Sequence, residues 1–114
     1  MKQLCEIKKI LSSIYRIENI LKKDYNLTIN EAICLCSLKE KPDTPGNIAN
    51  EMGISLSRMS RVLSSLESKG FISRSISPED RRKMYFELSD QGITKLQDLE
   101  NTELPYTDIL QFQT

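Results

Sequence analysis

Helix start and stop signals in the middle of the sequence constrain this chain more than any other feature. Thr44 followed by Pro45 is typical of a helix N-terminus, where threonine caps the helix and the missing proline N–H costs nothing. Gly53 is expected to end that helix, and Ser55, two residues later, to cap the next one, which runs to Gly70. Two short helices joined by so tight a turn predict a helix-turn-helix motif.

Two segments that suit β-strands follow this motif. They cover residues 71–76 and 83–88, and the six residues between them are predicted to form a charged hairpin tip. A helix-turn-helix followed by a β-hairpin makes a winged helix. A last helix is expected to begin at the Ser89 cap and to be broken at Pro105.

The N-terminal segment predicts a long amphipathic helix over about residues 4–24. Its apolar residues recur at steps of three and four: Leu4, Ile7, Ile10, Leu11, Ile14, Ile17, Ile20 and Leu21. This apolar face is wide for so small a chain, so part of it is expected to pack on another element or another subunit.

A second helix is predicted to begin after Thr28, with Glu31 completing a capping box. Its buried face is expected to consist of four apolar residues, with Leu35 or Leu38 as alternatives for a further position. The four are Ile29, Ala32, Ile33 and Cys36.

These patterns predict a fold that is mainly α with a small β-hairpin (α+β), built as one domain over residues 1–114. It is a winged helix-turn-helix of about five helices with a wing of two to three strands. Residues 1–25 are the N-terminal helix, assigned to dimerisation. Residues 26–92 hold the winged helix-turn-helix, and residues 93–114 form a short C-terminal helix and tail.

Charged residues are distributed unevenly along the chain, although the formal net charge is zero. Residues 55–86 contain seven basic and three acidic residues, a local net charge of +4, whereas residues 87–114 contain one basic and six acidic residues. A surface directed at phosphates would show such a local basic excess. Short windows also reach this imbalance by chance, so the charge pattern alone does not decide between the two explanations.

Residue types exclude several classes of function. The chain has no histidine and three cysteines, Cys5, Cys34 and Cys36, too few for a disulfide framework or a four-ligand zinc site. Ser–His and Cys–His catalysis is therefore excluded, and we expect no enzyme activity, no metal and no cofactor. Cys34 and Cys36 are expected to fill the core. With no apolar run long enough for a membrane helix and no secretory signal, the expected location is the cytoplasm.

The predicted recognition helix, residues 55–69, has a distinctive outer face. Its expected inward residues are Met59, Val62, Leu63 and Leu66. The residues left facing outward are serines and two arginines: Ser57, Arg58, Ser60, Arg61, Ser64, Ser65 and Ser68. Small hydroxyl side chains let the backbone approach DNA, and each arginine can reach a guanine edge or a phosphate with two hydrogen bonds. The alternative is a neutral, solvated surface.

The hairpin tip supplies the second candidate contact, in a wing that spans residues 74–86. Asp80 beside Arg81 and Arg82 could form a surface ion pair worth under about 1 kcal/mol. In a wing, one of these arginines could instead enter a minor groove while Asp80 orients it. The candidate DNA-binding residues are Ser55, Ser57, Arg58, Ser60, Arg61, Ser64, Arg74, Asp80, Arg81, Arg82 and Lys83.

Several runs in this region resemble the MarR family of bacterial regulators. The run Asp80-Arg81-Arg82, followed by Phe86-Glu87-Leu88-Ser89 and then Gly92, is similar to the family's wing signature. Further similar positions are Ile48-Ala49, Gly53, Arg61-Val62-Leu63, Leu66-Glu67 and Lys69-Gly70-Phe71-Ile72. The resemblance covers residues 27–92, about two-thirds of the chain.

The resemblance implies a dimeric transcription factor, usually a repressor, on double-stranded DNA. Its recognition helices would enter adjacent major grooves of a pseudo-palindrome, with the wings in the flanking minor grooves. Members usually dimerise through a long C-terminal helix pair together with the N-terminal helix. Because this sequence ends soon after Pro105, dimerisation is expected to depend on its N-terminal helix, and any small-molecule inducer is unknown.

Two further interpretations concern signalling and partners. Cys5, near the start of the N-terminal helix, invites comparison with thiol-sensing members of the family. The competing function is a winged-helix module that binds another protein and not DNA. The coincidence of a serine and arginine helix face with a basic wing argues against that competitor.

Overall fold

A computed structural model describes residues 2–76, 79–80 and 82–104. The features predicted at Ser77, Pro78, Arg81 and the chain from Pro105 onward lie outside the described residues. The chain divides into two compact units, residues 1–29 with 102–114 and residues 30–101. No helix formed by the described residues is long and apolar enough to cross a bilayer.

The first unit is built on one long helix. Helix α1 spans Lys2–Ile20 and continues into a single π-helical turn, Leu21–Tyr25. The turn ends at Asn26, whose left-handed backbone (φ 55°) lets the next N–H, that of Leu27, bond back to the carbonyl of Leu21. The Tyr25 hydroxyl is hydrogen-bonded to that of Thr102, which joins the two chain segments of this unit.

The apolar stripe of α1 is only partly covered in the single chain. Ile17 is buried at 8% exposure. Toward the N-terminus four large apolar side chains are 44–56% exposed: Leu4, Ile7, Leu11 and Tyr15. The helix therefore carries more apolar surface than the single chain buries.

The second unit is a winged helix-turn-helix. Its helices are α2 (Ile29–Ser37, whose first residue belongs to the first unit), α3 (Pro45–Met52), α4 (Leu56–Ser68) and α5 (Asp90–Glu100). Its strands are β1 (Ile72–Ile76) and β2 (Met84–Leu88). Among the described residues the whole chain thus has five α-helices and one hairpin, which confirms the predicted fold class.

The helix caps predicted at Thr44 and Ser55 are confirmed. Thr44 Oγ1 accepts a hydrogen bond from Asn47 N (3.2 Å), and Ser55 Oγ accepts one from Arg58 N (3.1 Å). Gly53 ends α3 with a left-handed backbone (φ 73°), a conformation that glycine adopts without steric cost. These local bonds set where each helix of the motif begins and ends.

The hairpin is antiparallel and is slightly shorter than predicted. Its register runs from Ile72 opposite Leu88 to Ile76 opposite Met84. Asp43, which precedes α3, forms a single β-bridge with Phe86 of the hairpin. Asp43 N donates to Phe86 O (3.1 Å), and Phe86 N donates to Asp43 O (2.9 Å). This bridge ties the start of the helix-turn-helix to the second strand of the wing.

The core of the second unit is formed mainly by its helices. The predicted inward set of α4 is confirmed, since Met59, Val62, Leu63 and Leu66 are all buried. Other apolar side chains complete this core: Cys34, Leu35, Leu38, Ile48, Ala49, Ile72, Phe86 and Leu96.

The buried face predicted for α2 is wrong at Ile33 and Cys36, although both alternatives, Leu35 and Leu38, are buried. Ile33 is 44% exposed and Cys36 is exposed, whereas Cys34, Leu35 and Leu38 are buried. The helix is apolar nearly all round, so its period of 3.6 residues does not select one face. The face that turns inward is the one that also carries Glu31, three residues before Cys34 and four before Leu35.

Gly92, in the first turn of α5, lies against the backbone that leads into the hairpin. A Cβ atom placed on it would lie 1.9 Å from the carbonyl oxygen of Phe71 and 3.0 Å from the carbonyl carbon. That oxygen accepts a hydrogen bond from Ser89 N (3.0 Å), and Ser89 Oγ donates to Gly70 O (2.6 Å). The obstacle is thus hydrogen-bonded backbone, which leaves room for no residue but glycine.

We expect Gly92→Ala to lower the free energy of unfolding by about 2–3 kcal/mol, near the top of the range for overpacking, because backbone has to move. Urea denaturation followed by circular dichroism measures the loss. Gly46→Ala is the matched control, since a Cβ there meets nothing within 4 Å. That change, inside α3, is expected to be neutral or to stabilise by up to about 1 kcal/mol. Similar stability of the two variants would contradict the close approach at Gly92.

Candidate nucleic-acid interface

Helices α3 and α4 meet at a short, tightly bonded turn. The N–H of Gly53 donates to Asn50 O (3.3 Å), and the N–H of Ile54 donates to Ala49 O (3.1 Å). Ser55 then caps α4, whose buried residues hold one side of the helix against the core. The opposite side of α4 is thereby presented to solvent in a defined orientation.

The candidate residues on and beside α4 form one exposed surface. All six are exposed, namely Ser55, Ser57, Arg58, Ser60, Arg61 and Ser64. A concave pocket of about 430 Å³ lies at the turn and is lined by Gly53, Ile54, Ser55, Ser57, Arg58 and Arg61. The two arginines are thus brought together beside the N-terminus of α4, where backbone N–H groups add partial positive charge. Such a surface favours anionic groups.

Ser65 does not belong to this outward surface, contrary to the prediction. Its Oγ donates to Glu31 Oε2 (2.8 Å), and Lys69 Nζ lies 3.0 Å from the same oxygen and 3.1 Å from Oε1. Glu31 is only 3% exposed. The carboxylate on α2 therefore bonds two residues near the end of α4. Sequence reasoning gave Glu31 only a local capping role and missed this contact.

The cysteines lie in different surroundings. Burial, and then the negative charge of Glu31, raises the pKa of the Cys34 thiol to about 12, so that thiol stays protonated at neutral pH. Cys5 and Cys36 are exposed. The expectation that both Cys34 and Cys36 fill the core is therefore wrong for Cys36, because residues two apart lie on nearly opposite sides of a helix.

Arg74, on β1, has a partner within the chain. Its Nε and Nη2 atoms donate to the two carboxylate oxygens of Glu67 at 2.8 and 2.7 Å, and its guanidinium lies 5.5 Å from the centre of the Phe86 ring. The hydrogen bond lowers the pKa of Glu67 and raises the pKa of Arg74. This two-point contact links the last turn of α4 to the middle of β1.

At the hairpin tip Asp80 contacts an arginine. Its Oδ1 accepts from Arg82 N (3.0 Å) and from Arg82 Nε (3.4 Å), and its backbone carbonyl accepts from Lys83 N (3.0 Å). The Arg82 side chain is 94% exposed, and Lys83 is also exposed. Arg81 lies outside the described residues. The carboxylate thus bonds both the backbone and the side chain of Arg82 while the guanidinium stays open to solvent.

Comparisons with known proteins agree with this fold. Residues 27–84 match the family model described as MarR family. A search of curated protein sequences gives no significant match. Among solved structures, the transcriptional regulator BldR from Sulfolobus solfataricus is similar with a TM-score of 0.78 and 24% identity, over 97% of this chain and 76% of that one.

Three similar structures were solved in complex with DNA, among them Sco3205 and FabT. Sco3205, a MarR family transcriptional regulator from Streptomyces coelicolor, has a TM-score of 0.78 at 22% identity, over 83% of this chain and 61% of its own. FabT from Streptococcus pneumoniae has a TM-score of 0.72 at 24% identity, over 87% of this chain and 70% of its own. At these identities the likeness is one of fold, and this chain spans 61–76% of the three lengths.

Proposed function

Since a family model matches just over half of its 114 residues, this chain belongs to the MarR family, and we propose that it is a sequence-specific regulator of transcription that binds double-stranded DNA. In this proposal it acts in the cytoplasm as a repressor and is not an enzyme. Helix α4 enters the major groove, and the hairpin lies in the adjacent minor groove. Three proteins of the same fold were solved with DNA, which supports the choice of partner.

The observation that carries the proposal is the exposed surface of α4. Arg58 and Arg61 lie beside one pocket at the N-terminal end of the helix, and the remaining candidate positions are serines. In helix-turn-helix proteins this end of the recognition helix contacts base edges. Arginine can bond guanine O6 and N7 together, whereas short serines keep the helix backbone close to the groove. The same surface thus offers base contacts and phosphate contacts.

The hairpin supports a second contact. Arg82 is nearly fully exposed at its tip, and its backbone and guanidinium are both bonded to Asp80. Narrow minor grooves concentrate negative potential and attract arginine side chains. The Arg74–Glu67 contact holds the first strand of the hairpin to α4, so a contact at the tip and one in the major groove would be made by a connected pair of elements.

A second copy of the chain completes the proposal. Dimers bind two half-sites about one helical turn of DNA apart, which doubles the contact surface and gives a palindromic preference. The apolar side chains left exposed along the N-terminal half of α1 support a homodimer formed through this helix. No inducer is assigned.

The proposal is tested by the salt dependence of binding to duplex DNA. Replacing Arg81 and Arg82 by alanine is expected to flatten the slope of log affinity against log salt concentration by roughly 2 per subunit. Each lost phosphate contact reduces the magnitude of that slope by about 0.9. Asp80→Ala is expected to weaken binding although it removes a negative charge, since Arg82 loses the carboxylate that orients it. Fluorescence anisotropy with a labelled duplex at several salt concentrations measures both effects.

Lys39→Ala is the control for loss of positive charge, because Lys39 is paired with Glu100 (2.9 Å) and lies outside the proposed surface. It is expected to leave the salt slope unchanged. Tighter binding by Asp80→Ala would refute the orienting role, and an unchanged slope in the double arginine variant would remove the hairpin tip from the interface. Failure of the unaltered protein to bind any duplex would favour the protein-interaction alternative.

A further inference from the structure

Helix α4 begins with an exposed leucine on an otherwise polar surface. Leu56 is 57% exposed. Every residue of α4 is described, and the other exposed ones are serines and arginines: Ser57, Arg58, Ser60, Arg61, Ser64 and Ser68. One large apolar side chain thus stands among groups that can all form hydrogen bonds.

Leu56 does not close the core from the end of the helix. It precedes Met59 by three residues, a spacing that puts two side chains on neighbouring turns of one face. Met59 is nevertheless fully buried at 0% exposure, while more than half of Leu56 remains in water. The core is therefore complete without it.

Its place along the helix puts Leu56 beside the candidate DNA contacts. It is the first residue after the Ser55 cap, and Ser60 and Ser64 follow at intervals of four residues on the same side of the helix. Serine side chains are short, so the leucine is the longest group on this row. In a helix-turn-helix the N-terminal residues of the recognition helix are those that contact base edges.

A leucine in this position has one chemical complement in the major groove. It neither donates nor accepts hydrogen bonds, and the apolar group that base edges display there is the C5-methyl of thymine. We propose that Leu56 is a specificity-determining residue that contacts a thymine methyl in each half-site. The inference rests on the DNA-binding function proposed above and deepens it, because it adds thymine recognition to the polar contacts of the arginines.

Removal of single methyl groups from DNA tests this directly. The preferred duplex is first obtained by in vitro selection, and each thymine is then replaced in turn by deoxyuridine, which keeps base pairing and loses only the methyl. For the unaltered protein we expect one position per half-site at which binding weakens about fourfold, the value for one buried methyl-sized group. Leu56→Ala should bind the thymine duplex more weakly than the unaltered protein does. Deoxyuridine at the sensitive position should cause no further loss of affinity in this variant.

Ile93→Ala is the matched control, because Ile93 is also an exposed apolar residue (44%) but lies on α5. Binding by this variant is expected to weaken with deoxyuridine as much as binding by the unaltered protein does. Thermal melting checks that Leu56→Ala is folded, which we expect since the side chain is exposed. The inference is overturned if Leu56→Ala retains the deoxyuridine effect, or if no thymine is sensitive in the unaltered protein. Absence of any duplex binding by the unaltered protein would instead refute the proposed function itself.

Discussion

Replacing Lys69 by methionine is expected to lower the free energy of unfolding by about 3 kcal/mol, the lower end of the range for breaking a buried ion pair. The side chain of Glu31 is 4% exposed, and its carboxylate lies 3.0 Å from the ammonium group of Lys69. Methionine keeps most of the length and apolar volume of lysine but leaves this carboxylate without the ammonium. We expect the lower end of this energy range because the Lys69 side chain is 27% exposed and partly solvated. Urea denaturation followed by circular dichroism measures the change.

The chain offers a matched control on its surface. Lys39 and Glu100 form the same kind of ion pair at 2.9 Å, but their side chains are 52% and 44% exposed. Lys39→Met should therefore cost under about 1 kcal/mol, as exposed pairs do. Adding Glu31→Gln to Lys69→Met should restore most of the lost stability, because no buried charge then remains. Equal losses for the two lysine variants, or no recovery in the double variant, would contradict the burial argument.

The double variant Arg58→Ala and Arg61→Ala is expected to lose most of the preference for the selected DNA site. Each arginine that bonds a guanine edge contributes about 1–3 kcal/mol of discrimination, and the two contributions sum only if the side chains act independently. The loss of affinity should be smaller on unrelated DNA, where the arginines make no base-specific contacts. Fluorescence anisotropy with the selected duplex and a scrambled duplex of equal composition separates the two cases.

Ser68→Ala, at the exposed last residue of the same helix, is the control for a change on α4 away from its N-terminal end. It should alter binding to either duplex by less than about 0.5 kcal/mol. Equal losses on both duplexes in the arginine variant would assign Arg58 and Arg61 to phosphate contacts. No loss on either duplex would remove the α4 surface from the interface.

The boundaries of the helix-turn-helix could be predicted from the sequence because short-range bonds determine them. Thr44 and Ser55 each accept a bond from a backbone N–H three residues later, and Gly53 adopts the left-handed conformation that ends a helix. Such interactions need only neighbours along the chain. The buried face of α4 was predictable as well, since four of its five apolar residues follow one helical stripe and most of its other positions are serines and arginines.

Contacts between distant residues were decided by the tertiary structure alone. The apolar stripe of α2 allowed more than one inward face, and the fold selected the one that carries Glu31, which bonds Ser65 and Lys69 more than thirty residues away. Arg74 likewise was only a candidate DNA contact in the sequence, and the structure shows that it bonds Glu67 at two points. Periodicity describes one element at a time, whereas the partner of a charged side chain depends on which other element packs against it.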